Sequence, residues 1–213
     1  MLLFDLIENI KCRLQKGLPG ESFQYKMAPV SRPKSDFYIK NKIVPKKGGV
    51  LVLVYELNQQ IYVLLTLRKE YNGVHSKQVS FPGGKFEDGD GNLLNTALRE
   101  ANEEVGIKIN QVEIISNLTD LYIPPSNFLV SPYLAFTSKR PSFEIQEAEV
   151  EQLIEIPLKE LFDENNKSIK EVLLSDGNII EVPCYLSQDN VIWGATAMII
   201  SELEELCRGF LIK

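Results

Sequence analysis

One histidine and three cysteines occur among 213 residues, and Cys12, Cys184 and Cys207 stand far apart with no CxxC pair. A zinc site or a disulfide framework needs such residues in clusters, so neither is indicated, and reduced, partly buried thiols are expected. Long apolar runs are missing too: the opening MLLFDLIENIKCRLQ is broken by Asp5, Glu8, Lys11 and Arg13, which excludes a signal-peptide core and a membrane span. There is no basic excess, with 23 Lys and Arg against 29 Asp and Glu and a net charge of -6. A nucleic-acid-coating surface would need many cations, so neither nucleic acid nor membrane is an expected partner. The ending Leu211-Ile212-Lys213 matches no peroxisomal or ER-retention signal, and a cytoplasmic location is the expectation.

Repeats and low-complexity linkers are likewise absent, and the length suits one elaborated domain over residues 1–213, with a helical extension over about 1–45. Leu3, Leu6, Ile7, Ile10 and Leu14 recur at helical spacing, which predicts an amphipathic helix that is either a packing element or the contact of a homodimer. Pro29, Pro33 and Pro45 punctuate a polar lead-in expected to wrap the core without regular structure. From Gly49, the runs GVLVLVYEL and IYVLLTLR flank Asn58-Gln59-Gln60 and read as a hairpin of buried strands. Further strands are expected over 111–121, 128–137, 151–156, 168–175 and 178–187, the last two joined by Ser175-Asp176-Gly177-Asn178. A helix from Ala195 to Leu206 ends the pattern, and the fold class is α/β, with helices packed on a mixed sheet.

The chemistry concentrates in residues 81–107, FPGGKFEDGDGNLLNTALREANEEVGI. Leu94, Leu98, Ala101 and Val105 form a helical stripe to anchor on the sheet, while Glu100, Glu103 and Glu104 fall at i, i+3 and i+4. Three like charges that close repel unless neutralised, and oxygen-only ligands suit a hard cation, Mg²⁺ or Mn²⁺, with positions left for water and phosphate. Gly83 and Gly84 let backbone approach such a site, and Lys85, Arg68, Lys69 and Lys77 flank it as candidate phosphate contacts.

Gly84, five residues, Asp90, eight residues, then REANEEVGI over 99–107 resembles the Nudix box. Asp90 stands where Glu is usual, the second interval is one longer than usual, and Ala101 replaces a bulkier aliphatic. Residues 64–107 as a whole resemble the coenzyme A pyrophosphatase branch, which shows the longer interval and the acid at position 90. Lys77 departs from that branch, where Gly is usual. Lys26-Met27-Ala28-Pro29 and Trp193-Gly194-Ala195-Thr196 resemble it more weakly.

The resemblance implies a Nudix α/β/α sandwich and metal-dependent hydrolysis of coenzyme A and its derivatives. Glu100 and Glu104 would be metal ligands, and Glu103 a further ligand or the group orienting the attacking water. It also implies a carboxylate from outside the box, for which Glu149 in the acidic run 144–151 is the choice. Arg99 is a motif member expected to brace the box through carboxylates and to impair activity when lost. His75 is a candidate base or a hydrogen-bonded loop residue; Trp193 reads as a core anchor. The loop Tyr122-Ile123-Pro124-Pro125-Ser126-Asn127-Phe128 is either a ligand contact or a rigid turn. The partner is a small nucleotide of the coenzyme A class; another dinucleotide such as ADP-ribose or NADH, and a noncatalytic binding module, are the alternatives.

Overall fold

The computed structural model describes residues 2–34, 36–69, 78–174 and 177–211, so His75, Lys77, Ser175 and Asp176 lie outside the described residues. Helix α1 (Leu2–Leu14) leads to two single-turn helices, α2 (Glu21–Gln24) and α3 (Phe37–Lys40), which give the lead-in more regular structure than its prolines suggest. Strands β1 (Lys46–Leu57) and β2 (Gln60–Arg68) form the expected hairpin, with Val54 opposite Val63 and Leu57 opposite Gln60. Its two-residue turn holds Asn58 and Gln59 at φ of 50° and 61°, the left-handed pair that matches strand twist.

Beyond Val54 the two strands part. The short strands β3 (Val79–Ser80) and β4 (Gly83–Lys85) fill the gap, β4 pairing with Gly48, Gly49 and Val50 and β3 with Thr66 and Leu67. This wedge carries the glycine loop into the sheet directly under helix α4 (Leu93–Val105). Strands β5 (Glu113–Asn117) and β6 (Leu121–Ile123) both pair with β7 (Phe128–Thr137), which runs parallel to β1, and β8 (Val150–Pro157) joins β2 antiparallel. The sheet is therefore mixed. The expected single strand over 111–121 is broken where the Thr119 N–H leaves the ladder with β7 for the Glu202 carboxylate between β5 and β6.

After α5 (Leu158–Leu161), strands β9 (Lys167–Leu173), β10 (Ile179–Ser187) and β11 (Asn190–Trp193) form a separate antiparallel sheet, and α6 (Gly194–Cys207) follows. Sheet membership depends on distant partners, and local alternation does not encode it. The main sheet is buried on both faces, which explains the unbroken apolar run in β1. Leu51, Leu53 and Tyr55 face Ala97, Ala101 and Val105 of α4. Val52 and Val54 belong to the other cluster, with Leu6 and Ile10 of α1 and Met198 and Leu203 of α6. The arrangement is an α/β/α sandwich.

The contact stripe of α4 is shifted from the predicted one. Ala97, Ala101 and Val105 are buried, whereas Leu94 and Leu98 are partly buried. A Cβ at Gly49 would meet the Leu93 carbonyl oxygen at 2.2 Å, so the helix lies on bare backbone at its N-terminal end. On the opposite face, Glu202 of α6 is fully buried. Gln24 Nε2 (2.9 Å) and the Thr119 hydroxyl (2.6 Å) donate to its carboxylate, as do the Gly20 and Thr119 N–H groups, fastening the lead-in to the core.

Candidate active site

Helix α4 starts and stops on local signals. Asn92 caps it by accepting from the Asn95 N–H at 2.9 Å, and Gly106, at φ 71°, ends it in the left-handed conformation. Just before it, Asp90 accepts from the Glu87 N–H (3.0 Å), the Thr96 hydroxyl (2.8 Å) and Arg99 Nε (2.7 Å), with Arg99 Nη2 at 3.1 Å from its second oxygen. The Arg99 hydrogen bonds hold the Asp90 carboxyl well below the usual carboxylate range. Arg99 also reaches Glu103 (2.9 Å), Glu100 (3.1 Å) and the Lys85 carbonyl (3.1 Å), so it clamps the helix to the glycine loop. The longer interval between Asp90 and Arg99 leaves this bidentate pair intact.

The three box glutamates have different surroundings. Glu104 is 3% exposed and accepts the Gly83 N–H at 3.0 Å, and its other oxygen stands 3.7 Å from the Arg68 guanidinium. Burial pushes its carboxyl up to about 7, with Glu100 and Glu149 adding to the rise against Arg68 and the Gly83 N–H. Glu100 lies against Gly84 so closely that a Cβ there would meet its carboxylate at 2.5 Å. Burial raises Glu100 as well, opposed by Arg99 and reinforced by Glu103 and Glu149. Glu103, by contrast, has a 56% exposed side chain turned toward Arg99.

Glu149 reaches this neighbourhood through its backbone. The Glu144 and Gln146 N–H groups cap the Val105 and Glu104 carbonyls at the end of α4, and the Lys69 N–H donates to the Glu149 carbonyl at 2.9 Å. The acidic run is thus tied to both the helix and the end of β2, and Glu149 raises Glu100 and Glu104 electrostatically. Lys69 directs its ammonium to the Glu147 carbonyl (2.6 Å), while Lys85 projects as an exposed side chain from β4. Asn127 in the 122–128 loop donates to the Val44 carbonyl at 3.2 Å, and Trp193 is half-buried at the start of α6.

Among the described residues no three His, Cys, Asp or Glu side chains are gathered into a ready cage. Glu100 and Glu104 nonetheless share one partly buried patch against Gly83 and Gly84, each penalised in its charged form by burial and by acidic neighbours. A hard divalent cation is the group whose charge and oxygen preference complement such a pair, so the donor set fits Mg²⁺ or Mn²⁺. A shallow depression lined by Glu56, Asn58, Gln59 and Arg140 lies at the opposite end of β1 and is not connected with these carboxylates.

Several contributors escaped the sequence reading: the Lys85 carbonyl, Gly49 under the helix and Thr96 behind Asp90; the Gly83 backbone was expected at the site, though not as the donor to Glu104. The Gly48-Gly49 pair in an otherwise bulky strand was the one available signal, because glycine inside a strand marks close backbone approach.

Residues 45–175 match the family model described as the NUDIX domain. The chain is 32% identical over 193 residues to Nudix hydrolase 22, chloroplastic, of Arabidopsis thaliana, covering 87% of this chain and 60% of that protein. It is 37% identical over 144 residues to the uncharacterized Nudix hydrolase NudL of Yersinia enterocolitica, covering 67% of this chain and 72% of that one. The chain thus spans about three-fifths of the plant relative's length. In fold it is similar to the Nudix hydrolase RenU of M. smegmatis, with TM-score 0.53 and 14% identity over 76% of this chain and 84% of that one. It is also similar to a MutT/nudix family protein from Enterococcus faecalis, with TM-score 0.51 and 18% identity over 85% and 71%. With the family model matched over more than half its length and the box clamped between Asp90, Arg99 and the glycine loop, the chain belongs to the Nudix superfamily.

Proposed function

We propose that this chain hydrolyses the pyrophosphate bond of a nucleotide derivative, coenzyme A or one of its derivatives, to 4′-phosphopantetheine and adenosine 3′,5′-bisphosphate. The observation that carries the hydrolytic reading is the paired, charge-penalised carboxylates of Glu100 and Glu104 against Gly83 and Gly84. The coenzyme A assignment rests on the resemblance of residues 64–107 to that branch.

Glu100 and Glu104 would hold Mg²⁺ or Mn²⁺, which when bound neutralises phosphate charge and makes water nucleophilic. Glu103 and Glu149 border the pair; their roles are to complete the ligand set or to accept the proton of the attacking water. Arg99 acts as a positioning residue, fixing Glu100 and Glu103 through Asp90. Gly83 and Gly84 keep the floor of the site free of side chains, and Arg68 and Lys85 would supply positive charge to a substrate phosphate.

The reading is tested by incubating coenzyme A, ADP-ribose and NADH separately with Mg²⁺ or Mn²⁺ and resolving the products by chromatography, with Glu104→Gln in parallel. Preferential release of 4′-phosphopantetheine that collapses in the variant is the expected result. Preference for ADP-ribose or NADH would keep the chemistry and discard the coenzyme A assignment; no turnover with any of them would favour a binding module.

A further inference from the structure

The second half of the lead-in and the first two residues of β1 have a charge opposite to that of the rest of the molecule. Residues 26–47 hold seven Lys or Arg against one Asp, a net +6 inside a chain of net -6, which leaves -12 on the remainder. Asp36, that one acid, is paired with Lys40 at 2.6 Å. Lys34, Lys40, Lys42, Lys46 and Lys47 are all exposed.

The same stretch displays aliphatic side chains to solvent: Val30 is wholly exposed, Val44 86% and Ile39 64%. Their backbone is held in place. Tyr25 donates its hydroxyl to the Pro33 carbonyl (2.6 Å), Arg32 donates to the Tyr122 carbonyl (2.6 Å), and the Ile43 N–H donates to the Tyr38 carbonyl (2.8 Å). With Asn127 bonded to the Val44 carbonyl and Met27 buried in the core, the fold fixes this segment by its polar and aromatic groups and by Met27, and leaves Val30, Ile39 and Val44 in solvent.

Two kinds of surface bury exposed aliphatic groups, and the lysines decide between them. Protein interfaces are depleted of lysine and gather their apolar side chains into a contiguous core. The headgroup boundary of an anionic bilayer accepts apolar side chains singly and attracts lysines set around them. At physiological ionic strength charges are screened within about 8 Å, so the acidic remainder of the chain does not cancel a local basic patch. We propose that Val30, Ile39 and Val44, with Lys34, Lys40 and Lys42 around them, form a peripheral docking surface for an anionic lipid bilayer. This is contact and not crossing, consistent with there being no helix among the described residues long and apolar enough to span a membrane. It revises the expectation of no membrane partner and stands whichever nucleotide the site hydrolyses.

The test is co-sedimentation of the full chain with phosphatidylcholine vesicles, with and without about one-third phosphatidylglycerol, at low and high salt, beside Lys34→Glu/Lys40→Glu/Lys42→Glu and Val30→Asp/Val44→Asp variants. Binding to the anionic vesicles only, weakened about tenfold or more by high salt and by either set of substitutions, is expected. Nucleotide hydrolysis in solution should stay at the wild-type rate in both variants, which shows that they are folded. Absence of binding, equal binding to neutral vesicles, or binding unaffected by the substitutions would overturn the proposal. A dimer of the wild type that dissociates in the variants on size-exclusion chromatography would overturn it in favour of a second copy of the chain.

Discussion

Glu104 of α4 and Glu202 of α6 are buried on opposite faces of the main sheet, and the two carboxylates are treated differently. Glu202 of α6 has no exposure and is surrounded by donors: the Gly20 N–H, Gln24 Nε2, and the N–H and hydroxyl of Thr119. Glu104 of α4 is almost as deeply buried, yet it has one backbone N–H and an arginine at 3.7 Å, with Glu100 and Glu149 repelling it. A buried charge is tolerated when its lone pairs are satisfied and is costly when they are not. Glu202 therefore reads as an internal fastening that needs nothing further, and Glu104 as a carboxylate whose charge a bound cation would complement.

The comparison can be broken most decisively at the residues themselves. Glu104→Gln should lower kcat/KM for the preferred nucleotide by about a thousandfold, because the cation contributes several kcal/mol of charge stabilisation. Its melting temperature without divalent cation should not fall. Glu202→Ala should do the reverse, costing about 3 kcal/mol and lowering Tm by several degrees with little change in turnover per folded molecule, as read by thermal melts and active-site titration. If both variants lost stability alike and kept activity, the contrast between the two carboxylates would be wrong.

A pH series sharpens the contrast. Glu104 is raised from 4.5 to about 7 in the folded state, so its contribution favours folding below pH 4.5 and is lost as pH rises through about 7. Without divalent cation, wild-type stability relative to Glu104→Gln should fall between pH 5 and pH 8, by on the order of 2 kcal/mol. Added Mg²⁺ should remove that fall, as thermal melts at each pH would show. Smaller still, Asp90→Asn should leave the protein folded and cut kcat roughly tenfold, since loosening Arg99 disturbs Glu100 and Glu103 only indirectly. An unchanged kcat would remove Arg99 and Asp90 from the positioning apparatus.

Legibility from the sequence followed the range of the interaction. Strands β1, β2 and β7 were plain because their apolar runs are long, and α6 because its stripe repeats at helical spacing. Strands β3 and β4, two and three residues long and rich in glycine, offered no periodicity; the wedge they form depends on the parting of β1 from β2. The split into two sheets was hidden for the same reason, since β9 and β10 alternate no differently from strands of the main sheet. In the site, spacing gathered Glu100, Glu103 and Glu104 on one helical face and set Arg99 one turn from Glu103, while the burial of Glu104 and the exposure of Glu103 depend on tertiary packing that spacing does not set. The acidic run containing Glu149 was visible as charge, but its docking on α4 through the Glu144 and Gln146 N–H groups was not. The displaced stripe of α4 shows the same limit: Leu94 and Leu98 outrank Ala97 in hydrophobicity, but only a small residue fits where the helix rests on Gly49.

The most direct measurement is a calorimetric titration of Mn²⁺ into the wild type, Glu104→Gln and Glu202→Gln at pH 8. Binding in the wild type that is lost in Glu104→Gln and retained in Glu202→Gln is the expected result. Mn²⁺ binding that survives in Glu104→Gln, or that is absent from the wild type, would contradict the assignment of the α4 carboxylates as the cation site.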